Sequence, residues 1–326
     1  MNIKKMIVGI LLVGLLALLY YLFRPLSIPT PAVFTCHTLE EGSFMHRDSL
    51  PLPSNIYGMG LTYSKHLEET AAEFDPDALP PIFRKKLHSI TGPGSKVSYP
   101  STSDIIQETR AFDPQAGDKL SAEFEEISAL LDYEVELGVI LLEDISATQL
   151  KDEAFIPSLG FFVSNDLSAR SLGLMGEGTD SRYEFWGLSK SFPGFLPLAQ
   201  QIWIPHQPKS NSIPCIKLET YVNGELRQSE STDNMIYTPL EMLRFIQKKY
   251  PDTSFQKGDM VLTGTPGGVA IATPRVLVRL SNLLGFDRYR KLGVKLGGDQ
   301  SAFLKAGDRV EVKGEGLGSV MVEITE

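Results

Sequence analysis

The chain has 326 residues, of which 42% are hydrophobic and 22% charged, and its 40 acidic side chains outnumber its 31 Lys and Arg to give a formal charge of -9. That length can bury the core of one large domain or two small ones. The acidic balance argues against a nucleic-acid partner, which would need a basic surface.

From Ile7 to Phe23 the sequence is apolar almost throughout, with Lys4-Lys5 before it and Arg24-Pro25 after it. Such a run sits at the short end of the roughly 17–25 residues that span a bilayer, is longer than a usual signal-peptide core, and is followed by no clean small-x-small cleavage site. Residues 1–24 therefore read as an uncleaved single-span membrane anchor, a cleaved signal peptide being the alternative. The two lysines ahead of the span place the N-terminus in the cytoplasm and the rest of the chain outside it. Pro25, Pro29, Pro31, Pro51 and Pro53 make residues 25–54 a tether, partly packed on the domain. Cys36 falls in this tether, and with Cys215 it is expected to stay unpaired.

Residues 55–326 carry the pattern of one domain. Gly58-Met59-Gly60-Leu61-Thr62-Tyr63 reads as a turn into a short helix on which His66 and Glu69, three apart, share a face. A carboxylate beside an imidazole raises its basicity and fits water activation, although His-x-x-Glu is most often an exposed helix face. Residues 101–130 look like a surface excursion. In Asp132-Tyr133-Glu134-Val135-Glu136-Leu137 strand alternation puts Glu134 and Glu136 on one face. The apolar run Gly160–Ser164 ends at Asn165-Asp166, which adds a third carboxylate. Three oxygen donors without a Cys or His pair suit Mg²⁺, Mn²⁺ or Ca²⁺ better than zinc. A solvated strand face remains the commoner meaning of a bare Glu-x-Glu.

Further on, Asn223-Gly224 predicts a tight hairpin. Thr238, Pro239 and Glu241 form a capping box ahead of a helix whose apolar stripe is Leu240, Leu243 and Ile246. Thr263-Gly264-Thr265-Pro266 is a turn able to bring amides and the Thr265 hydroxyl to a ligand carboxylate. Residues 270–302 hold Arg275, Arg279, Arg288, Arg290, Lys291 and Lys295 against Asp287 and Asp299 only. This basic stretch reads as a surface for anionic headgroups, a lid or a subunit contact.

Taken in order, Asp-Tyr-Glu-x-Glu-Leu, Asn-Asp-x-Ser-Ala-Arg, Trp186 four residues before Lys190, and Thr-Gly-Thr-Pro-Gly-Gly-Val resemble the signatures of the fumarylacetoacetate hydrolase family. The resemblance implies an α+β fold, mainly β with a few helices in a mixed β-sandwich roll, and a homodimer. It implies a metal site of Glu134, Glu136 and Asp166 holding Mg²⁺ (or Mn²⁺ or Ca²⁺). His66, Glu69 and Lys190 become catalytic, while Phe83, Lys85, Arg170 and Thr265 bind substrate. Lys190, near a metal, is expected to have a lowered pKa. The implied activity is metal-dependent hydrolysis of a carbon–carbon bond in a β-diketo or 2-oxo acid, acylpyruvate-like, with a small-molecule oxo-acid as partner. The alternatives are an oxo-acid decarboxylase or tautomerase on the same scaffold, or a membrane-tethered binding protein without turnover. Three positions depart from the pattern: Thr62 stands where the family has Asn, Gly173 where Gln is frequent, and Pro193 where Asp is.

Overall fold

The computed structural model describes residues 3–70, 72–271, 275–284 and 300–326. Two β-sheets organise it. The larger has seven strands in the order Gly42–His46, Gln201–Pro205, Leu159–Asn165, Val135–Leu141, Met260–Leu262, Ile56–Met59 and Ile82–Lys85. The smaller has five: Glu225–Ser231, Lys217–Val222, Arg309–Gly314, Gly318–Thr325 and Lys96–Ser98. Both are mixed, since Met260–Leu262 runs parallel to Ile56–Met59 and Gly318–Thr325 parallel to Lys96–Ser98, while the other pairings within them are antiparallel.

Alternation along the strands builds the core. Val135, Leu137, Val139 and Leu141 lie in one buried cluster with Leu218, Val312 and Val320 of the smaller sheet. Ile140 on the opposite face packs with Phe162, Ile202, Met260 and Leu262. The period of two that buries these aliphatic side chains also decides where Glu134 and Glu136 point. The α+β expectation fits this architecture.

Local signals behave as their chemistry dictates. Asn223 and Gly224 both take positive φ, 52° and 85°, as a type I′ turn between Lys217–Val222 and Glu225–Ser231 requires. Helix Pro239–Lys249 starts at Thr238, whose hydroxyl accepts from the Glu241 amide, while the Glu241 carboxylate accepts from the Thr238 amide. Residues 101–130 are more built than an excursion: helices Thr102–Phe112 and Pro114–Glu123, N-capped by Ser101 and Asp113, bury Ile105 and Leu120 against the smaller sheet's second core cluster.

Two expectations at the N-terminus are corrected. Among the described residues no helix is long and apolar enough to cross a membrane, which overturns the transmembrane anchor, the membrane as partner and the single-span, extracytoplasmic placement. A helix does form over Ile3–Phe23. Its C-terminal end docks on the helix Arg275–Leu284, where Leu22 is buried and the Arg279 guanidinium donates to the carbonyls of Leu22 and Arg24 at 3.2 and 2.6 Å. The cysteines are also paired. Within the tether, Thr35–His37 adds as a parallel partner to Ser212–Pro214, which brings Cys36 and Cys215 to a Cα separation of 5.1 Å in a disulfide. Of the basic stretch, Arg288, Arg290, Lys291 and Lys295 lie outside the described residues.

Candidate active site

The carboxylates meet because of strand register. Val135 pairs with Asn165 and Glu136 with Ser164, so Glu134 stands opposite Asp166, whose amide donates to the Glu134 carbonyl at 2.8 Å. Glu134, Glu136 and Asp166 are buried, and each offers an oxygen within 4.8 Å of the others.

Cations neutralise two of the three. Lys190 follows directly on helix Arg182–Ser189, which lies close against strand Ile82–Lys85 because Gly187 has no Cβ: one there would sit 2.4 Å from the Arg84 carbonyl oxygen. From that position Lys190 Nζ donates to Glu134 Oε2 at 2.5 Å and to Asp166 Oδ2 and Ser168 Oγ at 2.7 Å each. Lys85 Nζ donates to Asp166 Oδ1 and, at 3.2 Å, to the Phe195 carbonyl. Arg170 forks between Asp132 Oδ2, 2.8 Å from Nε, and Glu134 Oε1. Glu136 has no such partner among the described residues. It accepts from the Gly264 amide at 2.8 Å, and Ser164 Oγ, on the residue paired with it, is itself buried without a partner.

Electrostatics follow that division. Burial raises the Glu134 carboxyl, but Arg170 and Lys190 outweigh it and hold its pKa at about 2. Glu136 is pushed well above the usual carboxylate range by burial and then by Asp166 and Glu134. Burial alone pulls the Lys190 ammonium down, yet Asp166 and Glu134 prevail and raise it. Lys85 keeps the lowered value that burial dictates. A divalent cation fits this donor set: three buried oxygen ligands converge, and one of them lacks a counter-charge.

Above the carboxylates lies a cavity of about 180 Å³ whose wall includes His66, Phe83, Glu134, Glu136, Arg170, Lys190 and Thr265. Phe83 places its ring 5.5 Å from Lys190 Nζ. Lys85 and Asp166 sit behind the wall. His66 is on the short helix Ser64–Thr70, buried, with Nδ1 lacking a partner among the described residues and a pKa lowered to about 4, chiefly by burial. Glu69 does not pair with it; Glu69 Oε2 accepts from the Gly268 amide at 2.8 Å. Thr265 Oγ1 donates to the Val135 carbonyl at 3.0 Å and accepts from Gln228 Nε2 at 2.8 Å, so its hydrogen is taken up within the protein. Thr62 donates its hydroxyl to the Thr263 carbonyl at 2.5 Å and so fastens the turn before His66 to the Thr263–Thr265 strand end. At that end Gly264 has φ +87°, and a Cβ there would strike Thr62 Oγ1 at 2.3 Å.

Two contributors escaped sequence reasoning. Asp132, fully buried, accepts from Arg170 and from the amides of Ala270 and Ile271 at 2.8 and 3.2 Å. The signal was its place in the Asp-Tyr-Glu motif. Gln228 joins the Val135 amide (3.0 Å), Thr220 (2.7 Å) and Thr265.

Comparison with known proteins accords with the ordered motifs. The family model described as fumarylacetoacetate (FAA) hydrolase C-terminal matches residues 55–325. The chain belongs to the fumarylacetoacetate hydrolase family. Within it, the chain is 30% identical over 239 residues to oxaloacetate tautomerase YisK of Bacillus subtilis, covering 71% of this chain and 67% of that protein. It is 26% identical over 278 residues to human mitochondrial oxaloacetate tautomerase FAHD2A, covering 83% and 67%. Among solved structures, fumarylpyruvate hydrolase from Pseudomonas aeruginosa, in complex with Mn²⁺ and pyruvate, shares the fold with a TM-score of 0.54 at 18% identity, covering 92% of this chain and 97% of that one. Members of the family so named are enzymes, both tautomerase and hydrolase.

Proposed function

We propose that this protein is a divalent-metal-dependent enzyme that enolises a 2-oxo acid, tautomerisation being the reaction its residues support best. The observation that carries the reading is the convergence of Glu134, Glu136, Lys190 and His66 on one cavity with Asp166 just behind its wall, Glu136 being left without a cationic partner among the described residues. A divalent cation held by the three carboxylates would polarise a 2-oxo carbonyl and favour its enolate. Lys190, fixed by Asp166 and Ser168, supplies positive charge beside an oxygen that becomes negative. His66 is neutral near pH 7, and its imidazole, on the cavity wall, is the group assigned to move the proton at C3. The wall around it is largely apolar, with Met59, Leu61, Phe83 and Trp186, which limits water at the reacting carbon.

Cleavage of a β-diketo acid is the second reading. It passes through the same enolate, and the neutral imidazole of His66 on the cavity wall favours it. It also needs an activated water, and Glu69, the expected helper, is engaged with the Gly268 amide. The oxaloacetate tautomerases among the relatives support the first order of preference.

The deciding experiment follows the enol absorbance of oxaloacetate and of a panel of acylpyruvates with the full chain, with Mg²⁺ or Mn²⁺ and after chelation. Metal-dependent enol–keto exchange of oxaloacetate is the expected result. Equal rates with and without metal would remove the proposal, and net loss of acylpyruvates without exchange would replace it with the second reading.

A further inference from the structure

The site has an end that the family resemblance does not account for. Where a family Gln is frequent the chain has Gly173, and this glycine lines the cavity; a Cβ there would touch only Ser189 and Trp186, at 3.5 Å or more. The position therefore leaves room beside Trp186 instead of a polar side chain. Just beyond it, Glu177 and Arg182 also line the cavity.

These two are held to each other and to the wall. Glu177 Oε1 accepts from Arg182 Nε at 2.9 Å and from Trp186 Nε1 at 3.2 Å. The Glu177 side chain is 15% exposed and that of Arg182 38%. The guanidinium centre lies 5.2 Å from the Trp186 ring centroid, so the charge is fixed by an ion pair and a ring face together. Glu177 engages Nε, and among the described contacts the two terminal nitrogens of Arg182 have no hydrogen-bond partner. By contrast, Arg170 and Lys190, the other cations of the wall, are bonded to the carboxylates beneath them.

Resting on the function proposed above, we infer that Arg182 is a specificity-determining residue, reading a second carboxylate at the far end of the oxo-acid. The chelating 2-oxo-carboxylate end belongs with the acidic triad, and the apolar wall between accommodates the carbon chain. A planar guanidinium with both terminal nitrogens available recognises a carboxylate with two parallel hydrogen bonds, and Glu177 holds it in place for that purpose.

Two six-carbon probes that differ only at that end test it: 2-oxoadipate and 2-oxohexanoate, titrated into the full chain with Mn²⁺ while Trp fluorescence is followed. Oxalate, which has a chelating end alone, is titrated in parallel. Wild type is expected to bind 2-oxoadipate about 10- to 100-fold more tightly than 2-oxohexanoate, as charge-assisted hydrogen bonds at this position imply. In Arg182→Gln that advantage is expected to vanish, and in Glu177→Gln, where the guanidinium loses its anchor, to shrink. No preference in wild type, or a preference that persists in Arg182→Gln, would overturn the inference while oxalate still binds. Failure of wild type to bind oxalate as well would bring down the metal-dependent reading on which the inference stands.

Discussion

The floor and the rim of the cavity are held by different means. On the floor, Glu134, Asp166, Lys85, Lys190, Arg170 and Asp132 form a continuous set of buried ion pairs. At the rim, Val278 and Ser281 of helix Arg275–Leu284 and Ala72 beyond the His66 helix line the cavity. There a single buried arginine does the fastening: Arg279 reaches Glu73 at 2.9 Å and the end of the N-terminal helix, while Arg24 reaches the other oxygen of Glu73 at 3.0 Å. On the floor most of the buried charges answer more than one other, whereas the rim depends on few contacts. The two regions are therefore expected to answer differently to substitution.

Substitutions on the floor should have the largest effects and opposite signs for stability. Asp166→Ala leaves Lys85 and Lys190 without their shared anion, and calorimetry should show a loss of about 3–5 kcal/mol together with loss of Mn²⁺ binding. Glu136→Ala should abolish Mn²⁺ binding as well, yet leave the metal-free protein as stable as wild type or more so, because it removes a buried carboxylate that has no cation. Equal Mn²⁺ titrations for wild type and Glu136→Ala would break the assignment of the floor.

Between floor and rim stands His66. His66→Gln is expected to lower turnover by about 10²–10⁴, with Mn²⁺ affinity nearly retained, since the ring is assigned to proton movement and not to coordination. A second readout comes from linkage. The folded pKa of about 4 lies below the ordinary 6.5, so between these values the unfolded chain takes up the proton more readily. The contribution of His66 to stability is thus complete above about pH 6.5 and is lost as pH falls toward 4. Denaturant titrations over that window should show a shallower acid-side decline for His66→Gln. An unchanged slope, or full turnover in the variant, would remove His66 from the site.

The smallest effect is expected at the rim. Arg279→Ala removes hydrogen bonds to Glu73, Leu22 and Arg24 and should cost about 1–3 kcal/mol, visible in the melting temperature. It should raise KM more than it lowers kcat and speed hydrogen exchange in Ser64–Thr70. A lowered kcat at constant KM would mean that rim and floor are not separable.

The same contrast explains what was legible in the sequence. Strand alternation and ordered motifs led directly to Glu134, Glu136 and Asp166, because neighbours in sequence and in register carry that geometry. The capping box at Thr238 and the Asn223-Gly224 turn were readable for the same local reason. Gln228 was not: a bulge between Thr220 and Tyr221 pairs Thr220 with Gln228, where the two-residue turn alone would have set Arg227 opposite it. Asp132 was visible as a residue but not as a partner of Ala270 and Ile271, which lie far along the chain. The N-terminal segment misled because a hydropathy run shows that a stretch is apolar but not what its end docks against. Arg279, read as part of a basic stretch, turned out to be the buried group at that end.

The bond between Cys36 and Cys215 turns 179 residues of sequence separation into a covalent ring. Glu134, Glu136, Asp166, His66 and Lys190 all lie inside that ring, and Thr265 and Arg279 lie outside it. A protease that nicked the exposed segment around Asp75–Leu79 would leave two fragments still joined, and a thiol reductant would be needed to release the N-terminal piece. A ring of this size also restricts the unfolded chain, worth about 5 kcal/mol in the loop-entropy account. Surroundings that keep thiols reduced would therefore present the same catalytic groups on a chain held together by packing alone.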